Sequence, residues 1–320
     1  MKSLQKAIED KNISHAYLFY GSRGTGKTSL ARIFATAIGT SENDLYEIDA
    51  ASNRGIDDVR ALREAVNTLP FESKYKVYIV DEVHMLSKDA FNALLKTLEE
   101  PPAHVIFILA TTELDKILDT IISRCQTFTF RKPNQSVLRE VVQNVAKKEG
   151  YKLEGASADL VALLGDGSFR DTLGILQKVL SSAEGKAISL QEVETITGAP
   201  RGKLVNDFIG AIAEKNIAKG MRAVRDASGQ AIDMKMYLKM ILQKMRFVLL
   251  LKNAPQMARD IEKEVSEEDF AYLKLLAEQK ENAISSATLL EMLFAYDFVG
   301  RSYIPELPLE LALVKIIGEK

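Results

Sequence analysis

The sequence contains one cysteine, Cys125, and no tryptophan among its 320 residues. A single cysteine can form neither an intrachain disulfide nor a cysteine-based zinc cluster. The most apolar stretches, such as 105–110 and 247–251, are far shorter than the roughly 20 residues that a membrane-spanning helix needs. Residues 1–7 are polar and lack the apolar core of an export signal. We therefore expect a cytoplasmic protein with no membrane partner and no zinc.

An excess of either charge is also lacking. Lys and Arg together number 42 and Asp and Glu 44, which gives a formal net charge of −2. Global charge neither supports nor excludes nucleic-acid binding, which would require a local basic patch. Hydrophobic residues make up 47% of the chain and charged residues 27%, and there are only 8 prolines. This composition is typical of a helix-rich globular protein, and the length predicts two or three domains.

The pattern of apolar residues changes near residue 132. Before it, short apolar runs alternate with helical patterns, which predicts a parallel α/β sheet. The runs are apolar at nearly every position, as expected for strands covered by helices on both faces. They lie at 16–20, 45–48, 77–80, 105–109 and 127–130. After it, apolar residues recur at helical spacing. The predicted fold is α/β followed by all-α, with domains at 1–132, 133–198 and 199–320.

A glycine-rich segment lies between the first predicted strand and a predicted helix that begins at Ser29. The segment reads Gly21-Ser22-Arg23-Gly24-Thr25-Gly26-Lys27-Thr28 and matches the P-loop pattern. Its glycines allow backbone amides to point at phosphate oxygens, and the helix N-terminus adds partial positive charge. We predict that this segment and Ser29 contact a nucleotide. Lys27 is expected to hold the β- and γ-phosphates and Thr28 to ligate Mg²⁺.

Two further predicted strands end in polar residues. The strand at 77–80 runs into Asp81 and Glu82, which suit a magnesium shell and a general base that polarises the attacking water. An inert acidic loop is the alternative, but the upstream P-loop favours a nucleoside triphosphatase. After the strand at 105–109, Thr112 is a candidate sensor of the γ-phosphate. A threonine at such a position is also common as a helix cap.

The order of these motifs resembles the gamma/tau subunits of bacterial DNA polymerase III clamp loaders, which are AAA+ ATPases. The resemblance rests on AASNRG at 50–55, DEVHML at 81–86, LLKTLEEPP at 94–102 and SRC at 123–125. It implies a RecA-like AAA+ ATPase domain at 1–132 and a three-helix lid at 133–198. It also implies a helical collar at 199–320, through which five subunits form a ring.

The same resemblance implies roles for five cations. Arg124 would be an arginine finger that reaches into the neighbouring subunit's site, and so would join Lys27 and Glu82 in catalysis. Arg170 would be a sensor-2 arginine that touches the nucleotide from the lid. Arg54, Lys96 and Lys116 would face the DNA backbone inside the ring. Without the family, Arg124 and Arg170 could be ordinary surface arginines, and a solvated helix face would be the favoured interpretation of Arg54, Lys96 and Lys116.

The function implied is that of an ATP- and Mg²⁺-dependent motor subunit. With other clamp-loader subunits it would hold an open sliding clamp, and primer-template DNA entering the ring would trigger ATP hydrolysis. Two alternatives stay open. The chain could be a structural ring subunit that does not hydrolyse ATP, or another AAA+ DNA-processing ATPase such as a Holliday-junction helicase. The SRC motif and the lack of an obvious winged-helix hairpin after residue 200 weigh against the helicase.

Two features depart from the family pattern. Residues 38–45 connect the P-loop helix directly to the next strand, where family members carry a four-cysteine zinc module, so zinc is not predicted. Nothing before Leu4 corresponds to the basic and aromatic segment that helps to hold the adenine. This predicts either a minimal nucleotide pocket or a start that lies upstream. Residues 305–312 resemble the final collar helix, which predicts the short gamma form.

Overall fold

The computed structural model describes residues 2–52, 65–262, 264–279 and 282–318. The chain divides into two compact units. The first contains residues 1–134 together with 167–170, and the second contains 135–166 and 171–320. The division of the chain into ATPase, lid and collar domains remains a prediction.

The first unit is an α/β structure, as the sequence predicts. Its described elements are α1 (Lys2–Glu9), β1 (Ala16–Gly21), α2 (Lys27–Ala37), β2 (Leu45–Asp49), β3 (Lys76–Asp81), α3 (Lys88–Glu99), β4 (Val105–Thr111), α4 (Asp119–Ile122) and β5 (Gln126–Phe130). The five strands form one sheet in the order β2-β3-β4-β1-β5, and every pairing is parallel. Because the strands run the same way, the residues that follow β1, β3 and β4 meet at one edge of the sheet.

Each face of the sheet has its own core. Leu18 and Phe107 belong to the cluster that includes Leu94 of α3. Their strand neighbours Phe19 and Ile108 belong to the cluster on the other face, which includes Phe34 of α2. Successive strand side chains point to opposite faces, so a strand covered on both faces is apolar at every position. Burial of each such side chain contributes roughly 1.5–3 kcal/mol.

The second unit is helical. Its helices are α5 (Gln135–Lys148), α6 (Gly155–Leu164), α7 (Phe169–Ser182, whose first two residues belong to the first unit), α8 (Leu190–Thr197), α9 (Gly202–Ala213), α10 (Ile217–Gly229), α11 (Met234–Asn253), α12 (Ala258–Glu262), α13 (Glu267–Glu278), α14 (Ser286–Val299) and α15 (Leu307–Leu313). In the described part of the chain, no helix is long and apolar enough to cross a membrane.

The second unit also contains two short strands that the sequence analysis missed. β6 (Lys152–Leu153) pairs in parallel with β7 (Ala187–Ile188). Two residues are too few to produce the alternating pattern by which a strand is recognised. The expectation of helices alone after residue 132 was therefore wrong at these four positions.

Candidate nucleotide-binding and hydrolysis site

The backbone of the loop after β1 adopts positive φ angles that favour glycine. Gly24 has φ 72° and Gly26, which caps α2, has φ 93°. A Cβ atom on Gly24 would lie 1.9 Å from the hydroxyl oxygen of Ser168, and one on Gly21 would lie 2.1 Å from the carbonyl oxygen of Phe130. The glycines of the P-loop pattern thus provide positive φ angles and close approach, the two properties that a phosphate-binding loop requires.

Lys27 is folded into this loop. Its ammonium group donates to the carbonyl oxygens of Gly21 at 2.7 Å and Ser22 at 3.1 Å, and only 6% of the residue is exposed. Burial lowers the pKa of Lys27, while the charges of Glu82 and Asp81 act in the opposite direction. The amine therefore lies in a partly desolvated site beside two carboxylates, where it can neutralise phosphate charge.

The P-loop and the end of β3 meet at the sheet edge. The Thr28 hydroxyl donates to Asp81 Oδ2 at 2.6 Å, although 53 positions separate the two residues. Asp81 Oδ1 accepts the backbone N–H of Glu82 at 2.9 Å. A hydroxyl and a carboxylate oxygen are ligands that Mg²⁺ prefers. The arrangement brings together the two residues that the sequence analysis predicts as magnesium ligands.

Glu82 is held by the strand next to its own. Its Oε2 atom accepts from the backbone N–H of Thr112 at 3.2 Å and from the Thr112 hydroxyl at 3.0 Å. β3 and β4 are neighbours, so the two residues that follow these strands come into contact. Thr112, which the sequence analysis selected as a sensor, therefore contacts the predicted general base directly.

The sequence analysis did not identify a polar network beside Glu82 that includes His84. The side chain of His84 is 5% exposed, and its Nδ1 atom lies 3.4 Å from Glu82 Oε2. The same nitrogen is 2.9 Å from the hydroxyl of Thr111. On the other side of the ring, Nε2 is 3.3 Å from Glu113 Oε1. The available signal was the position of His84 two residues after Glu82 and of Glu113 directly after Thr112.

Glu113 in turn binds a predicted DNA-contacting residue. Lys116 lies 2.9 Å from Glu113 Oε2, one helical turn along the chain. The hydrogen bond and the charge of Lys116 lower the pKa of Glu113. A continuous line of polar contacts thus runs from Lys116 to Glu82.

Residues 167–170 lie next to the P-loop within the first unit. The backbone N–H of Phe169 donates to the carbonyl oxygen of Gly24 at 2.9 Å. The Cβ atom of Arg170 would lie 3.5 Å from a Cβ atom on Gly24, and the charge of Arg170 contributes to lowering the pKa of Lys27. The exposed Arg170 side chain is therefore in a position to reach a nucleotide.

The other predicted residues are more dispersed. Arg23 and Ser29 are exposed in and after the P-loop, and Lys96 is exposed on α3. Arg124 donates to Glu99 Oε1 at 2.8 Å and to the carbonyl oxygen of Thr120 at 2.6 Å, contacts away from the P-loop. Arg54, the third predicted DNA-contacting residue, lies outside the described residues.

Two family models match the chain. Residues 40–134 match the model described as DNA polymerase III, delta subunit. Residues 188–319 match the one described as DNA polymerase III subunits gamma and tau domain III. DNA polymerase III subunit tau of Bacillus subtilis is 38% identical over 343 aligned residues, which cover 98% of this chain and 59% of the relative. The chain belongs to the DNA polymerase III gamma/tau family.

Other relatives agree with this assignment. DNA polymerase III subunit tau of Escherichia coli is 34% identical to this gamma/tau family member over 276 residues, 80% of this chain and 43% of the relative. The chain thus spans about half the length of the curated relatives it matches. RuvB of Thermotoga maritima, described as a Holliday junction branch migration motor, superposes with a TM-score of 0.52 and 20% identity over 67% of this chain and 73% of its own. That likeness concerns the fold alone, and it confirms the predicted AAA+ architecture.

Proposed function

We propose that this chain is an ATP-hydrolysing motor subunit of the DNA polymerase III clamp loader. It acts in the cytoplasm, in a five-membered ring with other clamp-loader subunits, and loads a sliding clamp onto primer-template DNA. The observation that carries the proposal is the contact of 2.6 Å between Thr28 and Asp81, with Lys27 and Glu82 at the same sheet edge. Phosphoryl transfer to water requires this combination of a hydroxyl, an ammonium group and two carboxylates.

The residues fit a magnesium-bound nucleoside triphosphate. A Cβ atom on Gly26 would meet nothing within 4 Å, so the loop is open at this position. The N-terminus of the 11-residue helix α2 opens at this loop and favours an anion. Thr28 and Asp81 would hold Mg²⁺ through their oxygen atoms. When bound, Mg·ATP supplies the γ-phosphoryl group that is transferred to water.

The proposed roles of the side chains follow from their positions. Lys27 neutralises charge on the β- and γ-phosphate oxygens, and Glu82 polarises the attacking water. Thr112 orients Glu82, to which it donates. Arg170 adds positive charge from the segment beside the P-loop. Arg124 acts in the neighbouring subunit's site, where an arginine finger stabilises the transition state. The remaining backbone contacts to the nucleotide come from residues 21–29.

We assign the ring contacts to the collar at 199–320 and the DNA contacts to Arg54, Lys96 and Lys116. An apolar groove of about 350 Å³ lies between α14 and α15. Exposed apolar side chains line it, namely Phe294, Phe298, Leu307 and Leu311. Contiguous exposed apolar surface of this kind marks protein–protein contacts. Its proposed occupant is the collar of an adjacent clamp-loader subunit.

The decisive experiment compares the wild-type chain with Lys27→Ala, first in a titration with labelled Mg·ATP and then in clamp loading on primer-template DNA with the partner subunits. Loss of the ammonium contacts to phosphate should weaken ATP binding by about 10- to 100-fold and abolish loading. Lys88→Ala, an exposed lysine on α3, is the matched control. Absence of saturable ATP binding by the wild-type chain would refute the proposal. Binding with a hydrolysis rate equal to that of Glu82→Gln would instead identify a structural ring subunit.

A further inference from the structure

The α6–α7 turn, residues 165–170, carries the backbone that contacts the P-loop. Residues 167–170 belong to the first unit, whereas the chain on both sides of them belongs to the second. Phe169 donates its backbone N–H to the carbonyl oxygen of Gly24 at 2.9 Å, and Arg170 follows it directly. The position of Arg170 at the nucleotide site therefore depends on what fixes the two ends of this turn.

The two ends of the α6–α7 turn lie against each other. A Cβ atom on Gly165 would lie 1.8 Å from the hydroxyl oxygen of Thr172 and 2.8 Å from its Cα atom. Thr172 is fully buried. Because the ends approach this closely, the residues between them form a short closed loop. A shift of either end is then passed on to residues 167–170.

Lys239 of α11 binds the first end of this loop. Its ammonium group donates to the carbonyl oxygen of Leu163 at 2.8 Å and to Asp166 Oδ1 at 2.7 Å. Leu163 lies in the last turn of α6, where a cation also meets the negative end of the helix dipole. One side chain thus joins the end of α6 to the residue that precedes Gly167.

The backbone at this point requires support. Asp166 has φ 50°, a left-handed conformation that is uncommon for a residue with a side chain, and Gly167 follows with φ 77°. Such backbone persists where surrounding contacts enforce it. The hydrogen bond from Lys239 to the Asp166 carboxylate is one such contact. It acts directly before the residues that contact Gly24.

The helix that carries Lys239 is itself firmly held. On either side of Lys239, Leu238 and Ile241 of α11 are fully buried in the core of the second unit. Close packing of this kind resists displacement of a helix, because any shift opens gaps or creates overlaps between side chains. Lys239 therefore connects the α6–α7 turn to a fixed point in the predicted collar.

We propose that Lys239 is a positioning residue for ATP binding, which fixes from α11 the turn that presents Arg170 to the nucleotide. The inference rests on the proposed function, because it requires ATP at the P-loop. Lys239 acts through Leu163 and Asp166 and not through a contact with ATP. By linkage, bound ATP in turn favours the conformation of the turn that Lys239 holds.

A titration of the full chain with labelled Mg·ATP tests this role. Lys239→Met removes the ammonium group but keeps an unbranched apolar side chain, and it should weaken ATP binding by about three- to tenfold, as expected for the loss of one or two hydrogen bonds. Lys239→Arg retains a charged donor and should keep most of the affinity. Lys252→Met, an exposed lysine on the same helix, is the control. Equal ATP affinity of Lys239→Met and the wild-type chain would overturn this inference alone. Absence of ATP binding by the wild-type chain would overturn the proposed function with it.

A double-variant cycle with Arg170 separates positioning from a general loss of stability. In an Arg170→Gln background, Lys239→Met should weaken ATP binding by less than about twofold, because the charge that the turn presents is already absent. Losses that multiply fully in the double variant would contradict the positioning role.

Hydrogen exchange locates the effect within the chain. In Lys239→Met without nucleotide, backbone amides of residues 165–170 should exchange at least tenfold faster than in the wild-type chain, with unchanged protection of β1. Equal protection of residues 165–170 in both proteins, or faster exchange that extends to β1, would show that Lys239 does not hold this turn specifically.

Discussion

Glu82 adopts φ 48°, a left-handed conformation that is uncommon for a residue with a side chain. Backbone of this kind costs about 1–3 kcal/mol and persists where surrounding contacts enforce it. Here the enforcing contacts are the N–H of Glu82 on Asp81 and the two hydrogen bonds from Thr112. These hydrogen bonds keep the carboxylate of Glu82 beside Thr112, while Asp81 remains bound to Thr28.

A single methyl group at Gly24 should damage the nucleotide site. In Gly24→Ala the new Cβ would meet the Ser168 hydroxyl at 1.9 Å, in addition to the strain at φ 72°. We expect ATP binding to weaken at least tenfold and the protein to lose more than about 1 kcal/mol of stability. Gly39→Ala is the matched control, since Gly39 has φ 86° but open space around a Cβ.

Titration with labelled ATP and urea unfolding measure the two effects. Equal losses of ATP affinity in Gly24→Ala and Gly39→Ala would show that strain, and not the contact with Ser168, is responsible. A second variant that combines Gly24→Ala with Ser168→Gly should recover part of the affinity, because it removes the side-chain atoms that the methyl group meets.

At the scale of elements, hydrogen bonds to one carboxylate join the connection at 38–45 to the loop before β3. Asp44, fully buried before β2, accepts backbone N–H groups from Phe71, Glu72 and Ser73 in the loop that leads to β3. Burial by itself would raise the pKa of Asp44, but the hydrogen bonds from Glu72, Phe71 and Ser73 outweigh it and bring the pKa to about 2. This short link thus joins the segments that precede β2 and β3.

Asp44→Asn should destabilise the first unit by about 2 kcal/mol at neutral pH, because it removes an ionised acceptor of several buried N–H groups. The folded pKa of Asp44 lies below its unfolded value of about 3.9, so its stabilisation is full above that pH and is lost as the pH falls toward 2. Urea unfolding from pH 7 to 3 should show the two proteins converging at low pH. Glu42→Gln, exposed in the same turn, is the control; a constant difference across this range would contradict the assignment.

At the scale of the whole molecule, several exposed apolar side chains lie together on α14 and α15. Phe294 is 51% and Phe298 59% exposed, values unusual for phenylalanine in an isolated protein. Polar groups, Glu291 and Lys315 among them, border the groove. An apolar centre with a polar rim is the usual composition of a protein interface.

Phe298→Asp should weaken the association of this chain with the loader, since a charge would have to be buried in the contact. Sedimentation of the chain with its partner subunits should show at least a tenfold weaker association, with unaltered ATP binding by the chain alone. Leu275→Asp on α13, also 57% exposed but outside the groove, is the control. Normal assembly of Phe298→Asp would show that the groove is not one of the ring contacts.

Much of the fold and part of the site could be predicted from local patterns. Each of the five strands of the first unit, and the P-loop, is formed by residues that are consecutive in the sequence. A local pattern is therefore enough to recognise them. Asp81 and Glu82 could be predicted because they directly follow a strand. β6 and β7 could not, since each has only two residues and depends on its partner for definition.

The sequence by itself determined the parallel sheet, the phosphate loop and the acidic pair, because each is specified within a few consecutive residues. The tertiary structure alone decided that residues 167–170 contact Gly24 and that His84, Thr111 and Glu113 connect Lys116 to Glu82. These contacts join segments far apart in the chain. They follow from the order of strands in the sheet and from the path of the chain between them. Neither of these can be predicted from the spacing of residues along the sequence.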